Sequence, residues 1–444
     1  SNCGPPMGDA ILRSFPFVDY VFTGEADFTF PVFVKRLAQQ ESISDLKGIL
    51  YREGKQVRST GMAESVHEMD KLPVPNYDDY YVQLDSTSLK KEIPLLLPFE
   101  TARGCWWGAK QHCTFCGLNT MSMAFRAKSK DRAVEEIVNL AERYDVKQLV
   151  AVDNIIDMKY FGDVLPELKR RQLQVSLFYE TKSNLTREQV KLLRDAGINA
   201  IQPGIESFNH RVLKLLRKGV SPLQNIQLLK WCREFGIQPI WNLLYGIPGE
   251  SAGDYVEMLA LLKSITHLQP PLSKGSIRLD RYSPYFNDPE NFGLVNVGPA
   301  RVYSYVYPFA KTDLADLAYY YEFSFGDNLE PAQYIGPVLQ HLKDWSTVAS
   351  REGQLRAVYS DGDLTIEDSR EDTGARRLKL SNWQSRLYEF CDQARSLTMI
   401  ESWRSQHHPE IASDELDSFL ERLVTSRLMV RDRDQYLSVA VTAS

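Results

Sequence analysis

The sequence predicts an α/β protein in which a parallel sheet forms part of a barrel. Apolar segments with strand character alternate with amphipathic stretches at helical spacing, and this unit occurs six times. Such alternation favours parallel strands joined by right-handed crossovers, and six units indicate a partial barrel rather than a closed barrel of eight. The expected strands lie near 95–102, 148–152, 174–179, 200–205, 238–245 and 277–282.

Changes of pattern along the chain divide it into five segments. Prolines stiffen the second segment, and the helix–strand repeat marks the third. The expected segments are an N-terminal α/β remnant with a hairpin at 1–70, a linker at 71–94, the barrel at 95–310, a helical connector at 311–350, and a C-terminal module at 351–444.

The two ends of the chain predict smaller structures. A strand is expected at 17–22, and a hairpin at 48–60 turns around Glu53 and Gly54. Beyond the barrel, a Tyr-rich helix is expected around 317–323. The C-terminal module is expected to be winged-helix-like, with a hairpin that turns at 360–363, three helices that begin near 381, 397 and 413, and terminal strands at 428–431 and 436–439.

The composition is that of an ordinary globular protein. The 444 residues are 43% hydrophobic and 25% charged, and their formal net charge is -6. This charge argues against a nucleic-acid partner, because phosphate binding requires a concentrated Lys/Arg surface. No apolar run of membrane-spanning length and no signal-peptide pattern occurs, so we expect a cytoplasmic protein with no membrane partner.

Three of the six cysteines lie close together and predict a metal site. Cys105, Cys113 and Cys116 fall within twelve residues, whereas a disulfide framework would require many more cysteines spread along the chain. Cys232 and Cys391 lie in apolar helical patterns, where we expect buried and unreactive thiols.

The three cysteines occupy a loop directly after the first predicted strand. An iron–sulfur cluster held by three thiolates leaves one iron without a protein ligand, and that iron can chelate the amino and carboxylate groups of S-adenosylmethionine (SAM). A structural zinc site with His112 as the fourth ligand is the alternative. No second Cys or His pair lies nearby, since His210 and the pair His407 and His408 are far along the chain.

The loop resembles the radical SAM superfamily, and in particular its peptide-maturation C-methyltransferase group. Most of the superfamily has cysteines separated by three and then two residues, whereas this loop has the spacing Cys-x7-Cys-x2-Cys and the opening Arg-Gly-Cys-Trp-Trp-Gly, which resemble that group. The resemblance implies a radical SAM barrel, a [4Fe–4S] cluster on Cys105, Cys113 and Cys116, and Phe115 near the adenine of SAM.

The resemblance also implies SAM contacts at the ends of successive strands. Single carboxylates at such positions often only cap the following helix, but here polar or glycine residues recur at strand after strand. The implied contacts are Asp153 and Asn154 after the second strand, Glu180 and Lys182 after the third, Glu206 and Ser207 after the fourth, and Gly246 after the fifth. The sequence identifies no catalytic residue beyond these.

The first residues resemble the end of the cobalamin-binding domain that precedes the barrel in this group. Residues 15–25 match its final strand and turn, so we expect 1–70 to be a remnant of that domain and cobalamin to bind a longer parent protein rather than this chain. The implied partners are a ribosomally synthesised precursor peptide as substrate and an electron donor such as flavodoxin or ferredoxin.

Three functions are therefore consistent with the sequence. The first is cobalamin-dependent methylation of an unactivated peptide carbon through a 5′-deoxyadenosyl radical. The second is radical SAM epimerisation or crosslinking of a peptide without methyl transfer. The third is a metal-stabilised regulator that binds peptide or DNA through the C-terminal module, for which the acidic start of the third helix, at Asp414 and Glu415, disfavours DNA.

Overall fold

The N-terminal region forms a small antiparallel sheet beside two helices. The computed structural model of the chain describes residues 3–54, 56–88, 92–119, 122–327, 329–348, 354–360, 362–370 and 376–442. The first elements are α1 (Met7–Ser14), β1 (Tyr20–Phe22), α2 (Thr29–Ala38), β2 (Ile49–Glu53), β3 (Gln56–Ser59) and α3 (Asp78–Asp85).

The predicted hairpin is confirmed as β2 and β3. The strand expected at 17–22 is β1, which pairs antiparallel with β2, and Leu12, Val21 and Leu50 form a small core between this sheet and α1. Within the segment expected as a linker at 71–94, the chain forms the helix α3, whose first turn carries Asp78 and Asp79, acidic residues that favour a helix N-terminus.

The central region is the predicted α/β repeat. Its elements are β4 (Leu97–Phe99), β5 (Ala102–Arg103), α4 (Trp106–Lys110), β6 (Arg126–Ala127), α5 (Lys130–Tyr144), β7 (Gln148–Ala151), α6 (Val164–Arg171), β8 (Ser176–Glu180), α7 (Arg187–Asp195), β9 (Ile198–Gln202), α8 (His210–Leu215), α9 (Pro222–Phe235), β10 (Gln238–Pro239), β11 (Asn242–Tyr245), α10 (Ala252–Leu262) and β12 (Ser273–Ser276).

Parallel strands follow one another in chain order across this region. β4, β7, β8, β9 and β10 form one parallel sheet, and β11 continues it through a parallel bridge between Glu206 and Leu243 before it pairs with β12. Six parallel positions result, because β10 and β11 are two halves of the fifth. The α/β fold class with a partial six-unit barrel is confirmed, and all six strands present their carboxyl ends at one edge.

Local signals in the sequence explain the crossover helices. Ser129 caps α5 by accepting a hydrogen bond from the Arg132 N–H, and α5 buries Ala133, Ile137 and Leu140 at helical spacing. Capping boxes start both α7 and α9.

The predicted position of the sixth strand is wrong. The strand is β12, with the polar sequence Ser-Lys-Gly-Ser, and it lies before the apolar segment expected to form it. A strand at the edge of a sheet pairs through its backbone and does not need apolar side chains. Hydropathy patterning therefore does not detect it. The apolar residues Ile277 and Leu279 follow β12 and enter a separate core.

The segment after the barrel contains a second antiparallel sheet. Its elements are β13 (Leu279–Asp280), α11 (Pro284–Asn287), β14 (Leu294–Pro299), α12 (Val302–Val306), α13 (Lys311–Leu317), β15 (Tyr320–Phe325) and α14 (Gly336–Val348). β15 lies between β13 and β14, so the helix predicted around 317–323 is wrong. Its alternating aromatic residues form a strand with one face toward the core.

The C-terminal region contains the predicted helices and hairpins. Its elements are β16 (Leu355–Ser360), β17 (Asp363–Asp368), β18 (Arg376–Leu380), α15 (Trp383–Phe390), β19 (Arg395–Ser396), α16 (Leu397–His407), α17 (Ser413–Thr425), β20 (Met429–Asp432), β21 (Gln435–Ser438) and β22 (Val441–Thr442). One sheet has the order β18-β17-β16-β22 and the other β19-β21-β20. Within the predicted turn at 360–363, Asp361 lies outside the described residues.

The C-terminal region packs on the barrel through a continuous core and a buried charge. Trp241, Trp345 and Phe419 belong to one cluster of buried residues that spans both regions. Lys230 on α9 is 1% exposed, and its Nζ lies 2.8 Å from an Asp392 carboxylate oxygen and 2.8 Å from the Ser438 carbonyl oxygen. This lysine joins the barrel to two different segments of the C-terminal region.

In the part of the chain that the structure describes, no helix has both the length and the apolar character needed to cross a bilayer. The exposed face of α17 carries Asp414, Glu415, Asp417 and Glu421, an arrangement that disfavours contact with phosphates.

We predict that Lys230→Met destabilises the protein by about 3 kcal/mol, because the partly buried Asp392 carboxylate and two carbonyls lose their partner. The free energy of unfolding in urea, followed by tryptophan fluorescence, measures this change. Arg233→Met, an exposed position on the same helix, is the control and should leave it within about 0.5 kcal/mol. Equal losses in the two variants would contradict the role assigned to Lys230.

Candidate active site

The loop with the three cysteines lies at the carboxyl-terminal edge of the parallel sheet. It spans 104–125, and β5 and β6 pair antiparallel at its base. The loop and the ends of β7, β8 and β9 enclose a half-open cavity with an empty volume of about 930 Å³, its mouth included. The predicted site residues that line this cavity are Cys105, Cys113, Phe115, Cys116, Asn154, Glu180, Lys182 and Glu206.

The loop opens on a backbone conformation that requires glycine. Gly104 has a φ of +82°, and a Cβ at this position would overlap the carbonyl of Ala124 on the returning side of the loop. The next residue, Cys105, caps the short helix α4, whose Gly108 N–H lies 3.3 Å from the Cys105 sulfur. The Gly-Cys pair therefore brings the two sides of the loop together and turns the first thiol inward.

The two tryptophans after Cys105 anchor the loop to two different segments of the barrel, one after β7 and one between α8 and α9. Trp106 Nε1 donates to the Ile156 carbonyl at 3.0 Å, and Trp107 Nε1 donates to the Arg217 carbonyl at 3.1 Å. Gly219, at a φ of +61°, leaves room for the Trp107 ring, which a Cβ would overlap. The Trp-Trp pair thus fixes the loop on both sides of the cavity.

The second half of the loop is anchored through Thr114. Its hydroxyl donates to the Leu215 carbonyl at 3.1 Å, its N–H donates to the Leu216 carbonyl at 3.3 Å, and its carbonyl accepts from the Tyr285 N–H at 3.1 Å. Thr114 is fully buried, whereas Cys113 and Cys116 on either side of it remain partly exposed to the cavity.

For two of the three thiols, burial favours the protonated form in the absence of a metal. Burial raises the pKa of Cys105 and raises that of Cys116 to about 11. A bound metal reverses this effect by stabilising the thiolates. Cys232 and Cys391 are fully buried, as expected for unreactive thiols.

The three cysteines line one cavity and belong to the same loop. Among the described residues, no group of three or more His, Cys, Asp or Glu side chains is arranged to hold one metal ion. A zinc site needs four ligands around one ion, whereas three thiolates suffice for a cluster that leaves one iron open.

Three of the predicted SAM contacts do not line the cavity. Asp153 is 1% exposed and accepts hydrogen bonds from both the N–H and the hydroxyl of Thr101, so it joins the second strand to the start of the cysteine loop. Burial raises the pKa of Asp153 to about 7. Ser207 is fully buried, and its hydroxyl oxygen accepts from the Asn209 N–H at 3.2 Å.

Gly246, the third of these residues, belongs to a loop held by Glu250. The Glu250 carboxylate accepts from the Gly246 N–H at 2.8 Å, the Ile247 N–H at 2.7 Å, and the Tyr255 and Tyr334 hydroxyls at 2.5 Å each. Tyr334 precedes α14, so this carboxylate connects the end of the fifth strand to the segment after the barrel.

Lys218 is a cavity residue that the sequence reasoning missed. Its side chain is 13% exposed, and its Nζ lies 3.6 Å from the Oε1 atom of Glu206. Burial alone would lower the pKa of Lys218, but Glu206 and the thiolates of Cys113 and Cys116 raise it overall. The residue lies between α8 and α9 rather than at a strand end, and only the adjacent Gly219 marks this loop in the sequence.

The cavity walls carry charges of both signs. Burial and the neighbouring Glu206 raise the pKa of Glu180 to about 7, and burial together with Lys218 lowers the pKa of Lys182 to about 8. The Lys182 ammonium lies 3.2 Å from the centre of the Trp107 ring. Paired cations and carboxylates can bind a ligand that itself has an ammonium and a carboxylate.

The N-terminal region is bonded to the base of the cysteine loop. Glu25 accepts from Arg126 at 2.6 and 2.9 Å, and Arg103 donates to Asp27 at 2.7 Å. A second cavity lies between this region and the barrel, and it shares Asn154 with the cysteine cavity.

Comparison with known proteins identifies the domain that contains this site. The radical SAM superfamily matches residues 99–262. An uncharacterized methyltransferase of Pyrococcus horikoshii is 26% identical over 258 residues, which cover 57% of this chain and 54% of that protein. The cytidylyl-2-hydroxyethylphosphonate methyltransferase of Streptomyces wedmorensis is 25% identical over 295 residues, which cover 56% of this chain and 54% of that protein.

A solved structure shares the fold. The radical SAM methyltransferase TsrM of Kitasatospora setae, bound to tryptophan and a SAM analogue, superposes with a TM-score of 0.55 at 15% identity, over 76% of this chain and 69% of that one. The same enzyme with cobalamin and a [4Fe–4S] cluster superposes with a TM-score of 0.53.

The chain therefore carries a radical SAM domain at residues 99–262. It spans about half the length of the curated relatives that it matches. The domain implies a [4Fe–4S] cluster and SAM, and the cavity fits them. Three thiols and charged side chains of both signs line it, which is the donor set that an iron–sulfur cluster and a zwitterionic ligand require.

We predict that Gly219→Ala displaces the Trp107 ring and lowers both stability and iron incorporation. Gly236→Ala is the control, because Gly236 also has a positive φ but open space around its Cβ. Strain at the positive φ should lower the free energy of unfolding by about 1–2 kcal/mol in both variants. In Gly219→Ala alone, overlap of the new Cβ with the Trp107 ring should lower it by a further amount of about 1–3 kcal/mol. Thermal unfolding and iron content after anaerobic reconstitution test this, and matching behaviour of the two variants would count against the anchoring role.

We predict that Cys113→Ala abolishes cluster assembly, because only two thiolates remain. Wild type should contain iron and acid-labile sulfide after anaerobic reconstitution, together with the broad visible absorption of an iron–sulfur cluster. Cys232→Ala, at a buried cysteine outside the cavity, should behave as wild type. Zinc without sulfide in the wild-type protein would overturn the cluster assignment.

Proposed function

We propose that this chain is the radical SAM part of a cobalamin-dependent C-methyltransferase that modifies a ribosomally synthesised precursor peptide. The observation that carries the proposal is the single cavity in which Cys105, Cys113 and Cys116 face Glu180 and Glu206 at the ends of parallel strands. The methyltransferase relatives and the fold of TsrM support the same class of reaction.

In this proposal the cavity binds SAM as a zwitterion. The cluster, when bound, supplies an electron that cleaves a carbon–sulfur bond of SAM and yields methionine and a 5′-deoxyadenosyl radical. Lys182 and Lys218 provide positive charge for the carboxylate of SAM, and Glu206 provides negative charge for its amino group. Phe115, between the last two cysteines, offers an apolar surface for the adenine.

The sequence predicts cobalamin binding by a longer parent protein, but a second cavity in this chain also supports cobalamin as the methyl carrier. It lies between the N-terminal region and the barrel mouth, and it borders the cysteine cavity at Asn154. Met62, Leu118 and Val152 line it and are each about half exposed, so apolar surface is available there for a large planar cofactor. Cobalamin bound at this position would lie next to SAM.

The cysteine loop is the feature that favours a peptide as the substrate. The Cys-x7-Cys-x2-Cys spacing and the Arg-Gly-Cys-Trp-Trp-Gly opening resemble the peptide-maturation group, and the structure gives each tryptophan a bond that shapes the site. In the overall reaction one SAM donates a methyl group that replaces a substrate hydrogen. A second SAM accepts that hydrogen as 5′-deoxyadenosine, and flavodoxin or ferredoxin supplies the electrons.

We predict that the reconstituted protein methylates its precursor peptide when supplied with cobalamin, a reductant and SAM with a deuterated methyl group. Mass spectrometry should show one labelled methyl per modified residue together with 5′-deoxyadenosine, and Cys113→Ala should yield neither. Release of 5′-deoxyadenosine with a peptide of unchanged mass, or one lighter by two hydrogens, would refute methyl transfer and favour epimerisation or crosslinking.

A further inference from the structure

Two segments that pack together at the cysteine cavity contain no acidic residue. No Asp or Glu occurs from 101 to 130, which includes the cysteine loop, or from 207 to 233, which includes α8 and most of α9. Both segments carry several Lys and Arg residues, although the chain as a whole has a formal net charge of -6. This part of the protein therefore has the opposite charge to the protein as a whole.

Hydrogen bonds join the two segments directly. Trp107 Nε1 donates to the Arg217 carbonyl oxygen at 3.1 Å, and the Thr114 hydroxyl donates to the Leu215 carbonyl oxygen at 3.1 Å. The Trp107 ring also occupies the space that a Cβ at Gly219 would fill. The short helix α4 and the end of α8 therefore lie side by side next to the cavity.

Three side chains give this part of the protein a basic surface. Lys110 is the last residue of α4, Lys214 lies in the last turn of α8, and Arg217 follows that helix. All three are exposed, and none of them forms an ion pair with another residue of the described ranges. Arg211, on the same helix as Lys214, is not counted because Asp254 neutralises it. The basic surface of Lys110, Lys214 and Arg217 is thus left without counterions by the described residues around it.

One cysteine thiol lies directly beneath this surface. The Gly108 N–H lies 3.3 Å from the Cys105 sulfur, and the next two residues of α4, Ala109 and Lys110, are exposed. A short stretch of backbone therefore connects the basic surface to a ligand of the cluster. Electron-transfer proteins associate through small and weak interfaces, and opposite charges raise the rate at which such partners meet.

We propose that the basic surface is the docking site of a small acidic ferredoxin that reduces the cluster. This inference rests on the [4Fe–4S] cluster of the proposed function and adds the place at which that cluster receives its electron. Reduced ferredoxin gives up one electron and the oxidised cluster takes it up, with no proton transferred and no bond formed or broken. An acidic peptide or a membrane of anionic lipids would also match the charge, but neither requires a cluster ligand directly beneath its binding site.

Stopped-flow electron exchange tests this docking site without any measurement of turnover. Reconstituted protein, free of SAM and peptide, is first reduced by photoreduced 5-deazariboflavin, a small uncharged compound. It is then mixed with an oxidised plant-type [2Fe–2S] ferredoxin, because both directions of electron transfer use the same encounter complex. Bleaching of the ferredoxin gives the second-order rate constant of the exchange.

The double variant Lys110→Glu/Lys214→Glu should exchange electrons about tenfold more slowly than wild type at low ionic strength, because the attraction becomes a repulsion. Added salt should slow wild type and narrow the difference, since it screens both interactions. Lys343→Glu, which reverses an exposed lysine on α14, is the matched control and should react as wild type. Equal photoreduction of the three proteins shows that each contains an intact cluster.

Several outcomes would overturn the docking site. They are a wild-type rate that does not fall with added salt, a double variant that reacts as fast as wild type at low ionic strength, and a Lys343→Glu variant that is slowed to the same extent. A double variant that loses only its affinity for the precursor peptide would assign the surface to the substrate instead. Absence of peptide methylation, in a wild-type protein whose electron exchange depends on these lysines, would reject the methyltransferase function alone.

Discussion

Two indole hydrogen bonds hold the cysteine loop in place, and the geometry of the cavity depends on them. Among its described residues, 104–119 and 122–125, the loop between β5 and β6 has only the short helix α4 as regular structure. Trp106 and Trp107 compensate by donating hydrogen bonds to the carbonyl oxygens of Ile156 and Arg217, which belong to two different segments of the barrel. Because Lys182 stacks on the Trp107 ring, the same indole also fixes one of the cavity's charged groups. The cofactor ligands and the surrounding charges are thus part of one connected structure.

The sequence predicted the strands that bury apolar side chains and missed the strand that buries none. β7, β8 and β9 have apolar cores and lie close to their expected positions, whereas the polar edge strand β12 carried no signal that patterning could detect. The same reason explains β15. Its aromatic residues were compatible with the spacing of a helix and with that of a strand. Only its pairing with β13 and β14 decides between the two.

The predictions of site residues show a related limit. Proximity to a strand end was recognisable, but the direction of each side chain was not. Asn154 faces the cavity whereas its neighbour Asp153 is buried against Thr101, and Glu206 faces the cavity whereas Ser207 is buried. The local backbone decides which of two neighbours faces the cavity, and at Glu206 the φ of +60° departs from the extended conformation that strand patterning assumes. Glu180 and Lys182, two residues apart, both line the cavity.

The carboxylate pair at Glu25 and Asp27 has a consequence for how this protein changes over evolutionary time. These residues precede the barrel by about seventy positions, yet they neutralise Arg126 and Arg103 at the two strands that close the cysteine loop. A recombination event that joined this barrel to an unrelated N-terminal region would take Glu25 away from Arg126 and would leave Arg103 paired with Glu100 alone. Substitutions in the N-terminal region and in the two strands that close the cysteine loop are therefore constrained to occur together.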